Sequence, residues 1–244
     1  MPYKDLRLAL MTGIDIPIPS CKLVVHQPRI EEIAFLGDTN FFTGTQTLCL
    51  YKSMFVQGNV DLDDIKNFQI FMMVMTEKET ADKKRCVLDV LNLLFPDYKV
   101  VLTPRSLLFQ KDGIDNVMID ENNFDELQEI LRLIFCVNLG PMDQQAFNPA
   151  DEKAKEIAEK LMRGRQRVAA QKGTSNSSIF VRYLSVLSIG LKIPIRELQK
   201  YTMYQFYDLI ERYSLWMNWD IDVRTRLAGG KPDSHPENWM KDLH

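Results

Sequence analysis

The chain has 244 residues, 45% of them hydrophobic and 26% charged, with a formal net charge of −3. That suits a soluble globular protein of one large or two ordinary domains, and it gives no global electrostatic pull toward nucleic acid or anionic membrane. No apolar run is long enough to span a bilayer, and MPYKDLRLALMTG has too short an apolar stretch for a secretory signal.

Near the start Ile14, Ile16 and Ile18 alternate with Asp15, Pro17 and Pro19. Two prolines that cannot donate to a ladder make this an edge strand or an extended arm, and KLVVHQ (22–27) is its expected partner. The helix PRIEEIAFLG follows, with Pro28 in its first turn and Gly37 at its end. His26 reads as a structural hydrogen-bonding residue and not a catalyst. Residues 38–55 could be helix or strand; Asp38 as a cap inclines them to helix, against Gly44 and the threonines.

In DLDDIKNFQIFMMVMTE, Ile65, Phe68, Met72 and Met75 share a helix face. Asp61, Asp63 and Asp64 resemble the start of a calcium loop, but Ile65 and Lys66 stand where an oxygen ligand and glycine are needed. They read instead as acids at a helix N-terminus. The Met72–Met73–Met75 cluster is either core or an adaptable binding surface. A helix over 80–95 ends at Pro96, and YKVVLT, SLLFQ and NVMID read as strands around the turn signal Lys111-Asp112-Gly113. Asn123 with Glu126 is expected to cap a helix whose apolar face runs from Phe124 to Val137.

A change in composition at 139–147 suggests a boundary. The expected fold is an α+β N-terminal domain (1–140) with a small, mostly antiparallel sheet, then an all-α helical domain (148–244) with a short tail (233–244). In the second domain, the basic run Lys160, Arg163, Arg165, Arg167, Lys172 is spread around a helix and holds no aromatics that could stack on bases. Ser178 should cap IFVRYLSVLSIGL, and Pro194 opens a short helix. Thr202 and Gln205 then have capping-box spacing before one long helix to Leu227, stopped by Gly229, Gly230 and Pro232.

Four cysteines are far apart with no C-x-x-C pair, which suits free buried thiols. There is no phosphate loop, no G-x-S-x-G elbow and no His/Cys cluster with metal-ligand spacing. The expectation is therefore no enzyme: no catalytic residue, no cofactor and no metal. What stands out is surplus aromatic surface. Tyr213, Trp216 and Trp219 on the long helix, with Trp239 and Met240 in the tail, are the candidate partner-binding residues, core packing being the alternative for the helix.

Three stretches, IPIPSCKLVVHQPRIEEIAFLGDTNFF, YQFYDLIERYSLWMNWDIDVRTRLAGGKP and ENWMKDLH, resemble the tail assembly chaperones of long-tailed bacteriophages of Gram-positive hosts. The matching positions are Tyr204, Phe206, Tyr207, Leu209, Arg212 and Tyr213, with Trp239, Met240 and Lys241. The resemblance implies a non-catalytic factor in the cytoplasm of the infected host. Its implied partners are the tape-measure protein, tail-tube subunits and further copies of itself, with no nucleic acid or membrane. A structural virion component is the alternative. The tail either docks on a neighbour through Trp239 or folds back on its own domain.

Overall fold

The computed structural model describes residues 5–50, 65–76, 81–113, 116–137, 178–230, 238–241 and 243. The element order is α1 (Leu6–Thr12), β1 (Ile16–Pro17), β2 (Val24–Val25), α2 (Ile30–Leu36), α3 (Asp38–Leu48), α4 (Asn67–Thr76), α5 (Ala81–Leu94), β3 (Lys99–Thr103), β4 (Ser106–Gln110), β5 (Val117–Ile119) and α6 (Phe124–Ile134). Then come α7 (Ile179–Leu191), α8 (Ile195–Leu198) and α9 (Met203–Leu227). The N-terminal part is thus α+β with small antiparallel sheets, and the C-terminal part is helical. The boundary at 139–147, the basic run, and Asp61, Asp63 and Asp64 all lie outside the described residues.

The three-stranded sheet has order β3-β4-β5, with Val100 opposite Phe109 and Phe109 opposite Val117. Period-two alternation sends Leu107, Phe109 and Ile119 to the buried face. The apolar face of α6 (Phe124, Leu127, Ile130, Leu131, Ile134) is buried as its 3.6-residue spacing requires. Asn123 does not cap α6 through its side chain. Its Oδ1 instead accepts from Asp120 N (2.8 Å) and its Nδ2 donates to Met118 O, tying the helix start to the end of β5. Glu126 accepts from Ser20 N at 3.0 Å, across from the β1–β2 arm.

The Asp38 stretch is helix α3. Gly44, which weakens a helix taken alone, is what lets α5 come close. A Cβ there would lie 2.5 Å from the Cys86 carbonyl oxygen and 2.6 Å from Val90 Cγ2. The β1–β2 arm pairs over only two residues, Ile16 with Val25 and Pro17 with Val24. Ahead of it stands α1, a helix not expected from the sequence. Asp5 caps α1 by accepting from Leu8 N, and Gly13 closes it at φ 71°. His26 sits between carboxylates, Nδ1 3.1 Å from Asp15 Oδ1 and Nε2 3.1 Å from Glu32 Oε2. Glu32 also accepts from Arg29 N at 2.7 Å, so this histidine is part of a clamp at the start of α2.

Residues from both ends of the chain share one core. Pro28 lies just before α2, not inside it, and its carbonyl accepts from Met203 N at 3.0 Å. In return Ile30 N donates to Tyr201 O and Glu31 N to Gln199 O, and Arg29 bridges Thr202. Two helix N-termini thus satisfy each other's open N–H groups through backbone 168 to 175 residues apart. A line of aromatic rings continues the join. Phe135 meets Phe41 (5.5 Å between centroids), Phe42 stacks on Phe180 (5.5 Å), and Phe180 meets Phe206 (6.0 Å).

Candidate partner-binding surface

Helix α9 divides into two halves. Its first turn is fixed from several sides: Thr202 Oγ1 accepts from Gln205 N, and Gln205 Oε1 accepts from Thr202 N at 2.9 Å. Gln205 Nε2 also donates to Met11 O at 2.7 Å, reaching the end of α1. Met203, Tyr204 and Phe206 are buried. The top turns therefore rest on α1, α6 and α7.

Helix α7 is capped by Ser178, whose Oγ accepts from Val181 N, and Asp38 accepts from Ile179 N at 2.8 Å. It buries Phe180 and Leu187, with Leu184 and Leu191 packed at the core's edge. Its other side is also apolar. Ile179, Tyr183, Val186 and Ile189 recur at helical spacing, and all are exposed, Ile189 at 81%. A helix apolar on both sides has more greasy surface than its own domain covers.

Tyr213 of α9 lies against Gly190, where a Cβ would run into its hydroxyl. Since α7 ends at Leu191, residues 214–227 of α9 run on past it by about 20 Å at 1.5 Å per residue. Trp216 stacks on Tyr213 at 6.1 Å between centroids. Trp216 and Trp219 are each 37% exposed, with Met217, Ile221 and Leu227 exposed beside them. Asp220–Arg224 (2.8 Å) and Asp222–Arg226 (2.7 Å) are i, i+4 pairs that brace this projecting half.

The described tail residues lie back on α9. Arg212, held by Asp208 at 2.9 Å, also donates from Nη1 to Lys241 O at 3.4 Å. Trp239 is half-buried, while Met240 is 67% exposed. The five residues singled out in the sequence thus fall on one helix and its folded-back tail. Sequence reasoning missed the exposed stripe of α7: spacing for burial picks out Phe180, Leu184, Leu187 and Leu191 and gives the other apolar positions no role. The signal was present: the helix has more apolar positions than one face holds.

A family model described as the YomV second domain matches residues 180–244. That span is about a quarter of the chain and takes in most of α7, α8, α9 and the tail. The match marks this region as phage-related. No curated protein and no solved structure matches the chain. Among the described residues no helix is long and apolar enough to cross a membrane.

Two concavities lie elsewhere. One of about 360 Å³ between α1, α6 and α9 is lined by Arg7, Leu10, Glu129, Arg132, Cys136 and Tyr204, among others. A shallower groove of about 710 Å³ runs between α4 and the sheet, with Met72, Met73 and Met118 in its wall. Met72 and Met75 are buried and only Met73 faces out, so the methionine cluster is mostly core.

All four cysteines are free. Burial pushes the Cys49 thiol up to about 12, and burial with the nearby Glu211 and Asp208 does the same for Cys136. Both are therefore thiols, not thiolates, at neutral pH. The expected result at pH 8 is that iodoacetamide leaves Cys49 and Cys136 unmodified in the native chain and alkylates all four in urea, as peptide mass spectrometry would read. The unfolded chain ionises these thiols above the ordinary value of 9.0 while the fold keeps them protonated. Stability should then fall as pH rises past 9, by up to about 1.4 kcal/mol per pH unit for each thiol.

Proposed function

We propose that the chain is a non-catalytic phage tail assembly chaperone acting in the cytoplasm of the infected host. It holds the tape-measure protein, a long helical client, and presents it to tail-tube subunits. The observation that carries this reading is the exposed apolar surface of α7 (Ile179, Val186, Ile189) and of the projecting half of α9 (Trp216, Trp219), with the half-buried Tyr213 against Gly190 between the two helices. Amphipathic helices bury their own apolar stripes in surfaces of this kind, and Trp and Tyr are the usual anchors. The phage-related character of residues 180–244 and the resemblance of the N-terminal and tail stretches support the same setting. Tyr213, Trp216, Trp219, Trp239 and Met240 are the anchors on this reading, with the α7 stripe beside them.

The test is co-expression with the tape-measure protein, scored by solubility and co-purification. The wild-type chain should keep the client soluble and co-purify with it. Val186→Asp with Ile189→Asp, both at exposed positions, should leave the chaperone folded and weaken the complex about tenfold or more. A client that stays insoluble beside the wild-type chain contradicts the reading. Stoichiometric amounts of the chain in purified virions would make it a structural tail component instead.

A further inference from the structure

The projecting half of α9 carries a second pattern. Trp216, Trp219, Val223 and Leu227 fall within roughly 80° of arc at 3.6 residues per turn. Leu227 is 83% exposed, and the two tryptophans are exposed on the same stripe. One flank of this stripe holds Asp220 and Arg224; the other holds Arg226 above Asp222, which is nearly covered (9% exposed) and held by Arg226 at 2.7 Å. On both flanks the acid precedes the base by one turn, so both flanks reverse sign about a point close to Val223.

Such a helix is complementary to itself when turned end for end. A two-fold axis at Val223 would set Asp220 of one copy beside Arg224 of the other, and Asp222 beside Arg226, while Trp219 meets Leu227. A parallel arrangement would instead set acid beside acid. We propose that two copies of this chain pair antiparallel through the C-terminal half of α9, with Trp216, Trp219, Val223 and Leu227 as the apolar seam and the four charges as its self-complementary rim. The seam is about three turns long, which places it among small interfaces and gives a concentration-dependent monomer–dimer equilibrium. This does not depend on the client; Trp216 and Trp219 take part in both surfaces, so a second copy and the tape-measure protein compete for them, while the α7 stripe and Tyr213 serve the client alone.

The experiment is sedimentation velocity on the purified full chain from about 1 to about 100 μM. The wild type should pass from monomer to dimer across that range. An acidic variant (Arg224→Asp with Arg226→Asp) and a basic variant (Asp220→Arg with Asp222→Arg) should each dimerise at least about tenfold more weakly, because like charges then meet on both flanks. Mixed together they should form a heterodimer as tight as the wild-type dimer or tighter. Leu227→Glu, at a site whose burial is negligible, should abolish pairing while circular dichroism shows unchanged helix; it keeps the test open if a charge variant unfolds. A wild-type chain that is monomeric throughout overturns the proposal. So does a dimer that survives Leu227→Glu, or a mixture of the folded acidic and basic variants that fails to pair.

Discussion

Phe206→Ala should destabilise the whole chain, not only its C-terminal helices. The ring is 1% exposed and stands at the end of the aromatic line that runs through Phe180 to Phe41 and Phe135. Removing it leaves a cavity between α7, α9 and the core that the capped first turn of α9 cannot collapse into. That turn is held by Pro28, Met11 and its own capping box. A rigid site of this kind places the loss at about 3–5 kcal/mol. Urea unfolding followed by far-UV circular dichroism and by tryptophan fluorescence measures it. Both probes should shift together, because the tryptophans lie on α9 and its tail while much of the helix lies in the N-terminal half. A fluorescence transition that moves alone would mean the C-terminal helices unfold separately from the N-terminal core.

The second large effect is expected at Gly44. Alanine there gains about 1 kcal/mol of helix propensity in α3. Against this, the added methyl meets the backbone carbonyl of Cys86 and the branched side chain of Val90, neither of which can swing aside. The helices must separate, and overpacking of this kind costs typically about 1–3 kcal/mol and occasionally more. The backbone obstacle places this site at the upper end, so the net expectation is a loss of about 2 kcal/mol, read as a lower urea midpoint. Gly190→Ala is the control. Its methyl meets the hydroxyl and ring atoms of Tyr213 and no backbone atom among its nearest neighbours, so a swing of that one side chain relieves the clash and it should cost less.

These two sites show what the sequence could and could not reveal. Local signals were legible. The Thr202–Gln205 box marks the start of α9, Ser178 marks α7, and the alternation around Gly113 gives the sheet. The faces of α5 and α6 follow from spacing alone. Features that depend on distant partners were not legible. Gly44 argued against a helix until α5 was placed beside it. Pro28 looked like a first-turn residue, but its carbonyl serves Met203 instead. Asn123 has the right spacing for a cap, yet its amide finds better partners at the end of β5. Helix α1 was overlooked because two turns carry too little periodicity; Asp5 and Gly13 were its only local marks.

The same distinction holds for the candidate surface. The surplus of aromatics on α9 could be counted in the sequence, since one helix face cannot bury them all. Which of them stay exposed depends on where α7 ends. Gly190 beside Tyr213 sets that point, and it leaves Trp216 and Trp219 beyond the shelter of α7. The outward stripe of α7 was hidden because Ile, Val and Tyr at helical spacing look the same whether they face a core or a partner.

The central claim is that this outward surface receives a helical client. Photocrosslinking tests it most directly, with benzoylphenylalanine placed at Ile189 in one chain and at Met73, in the groove beside the sheet, in another. Each chain would be co-expressed with the tape-measure protein and irradiated. A crosslinked client is expected from position 189 and none from position 73. Crosslinks from position 73 alone would contradict the claim and move the client to the groove between α4 and the sheet.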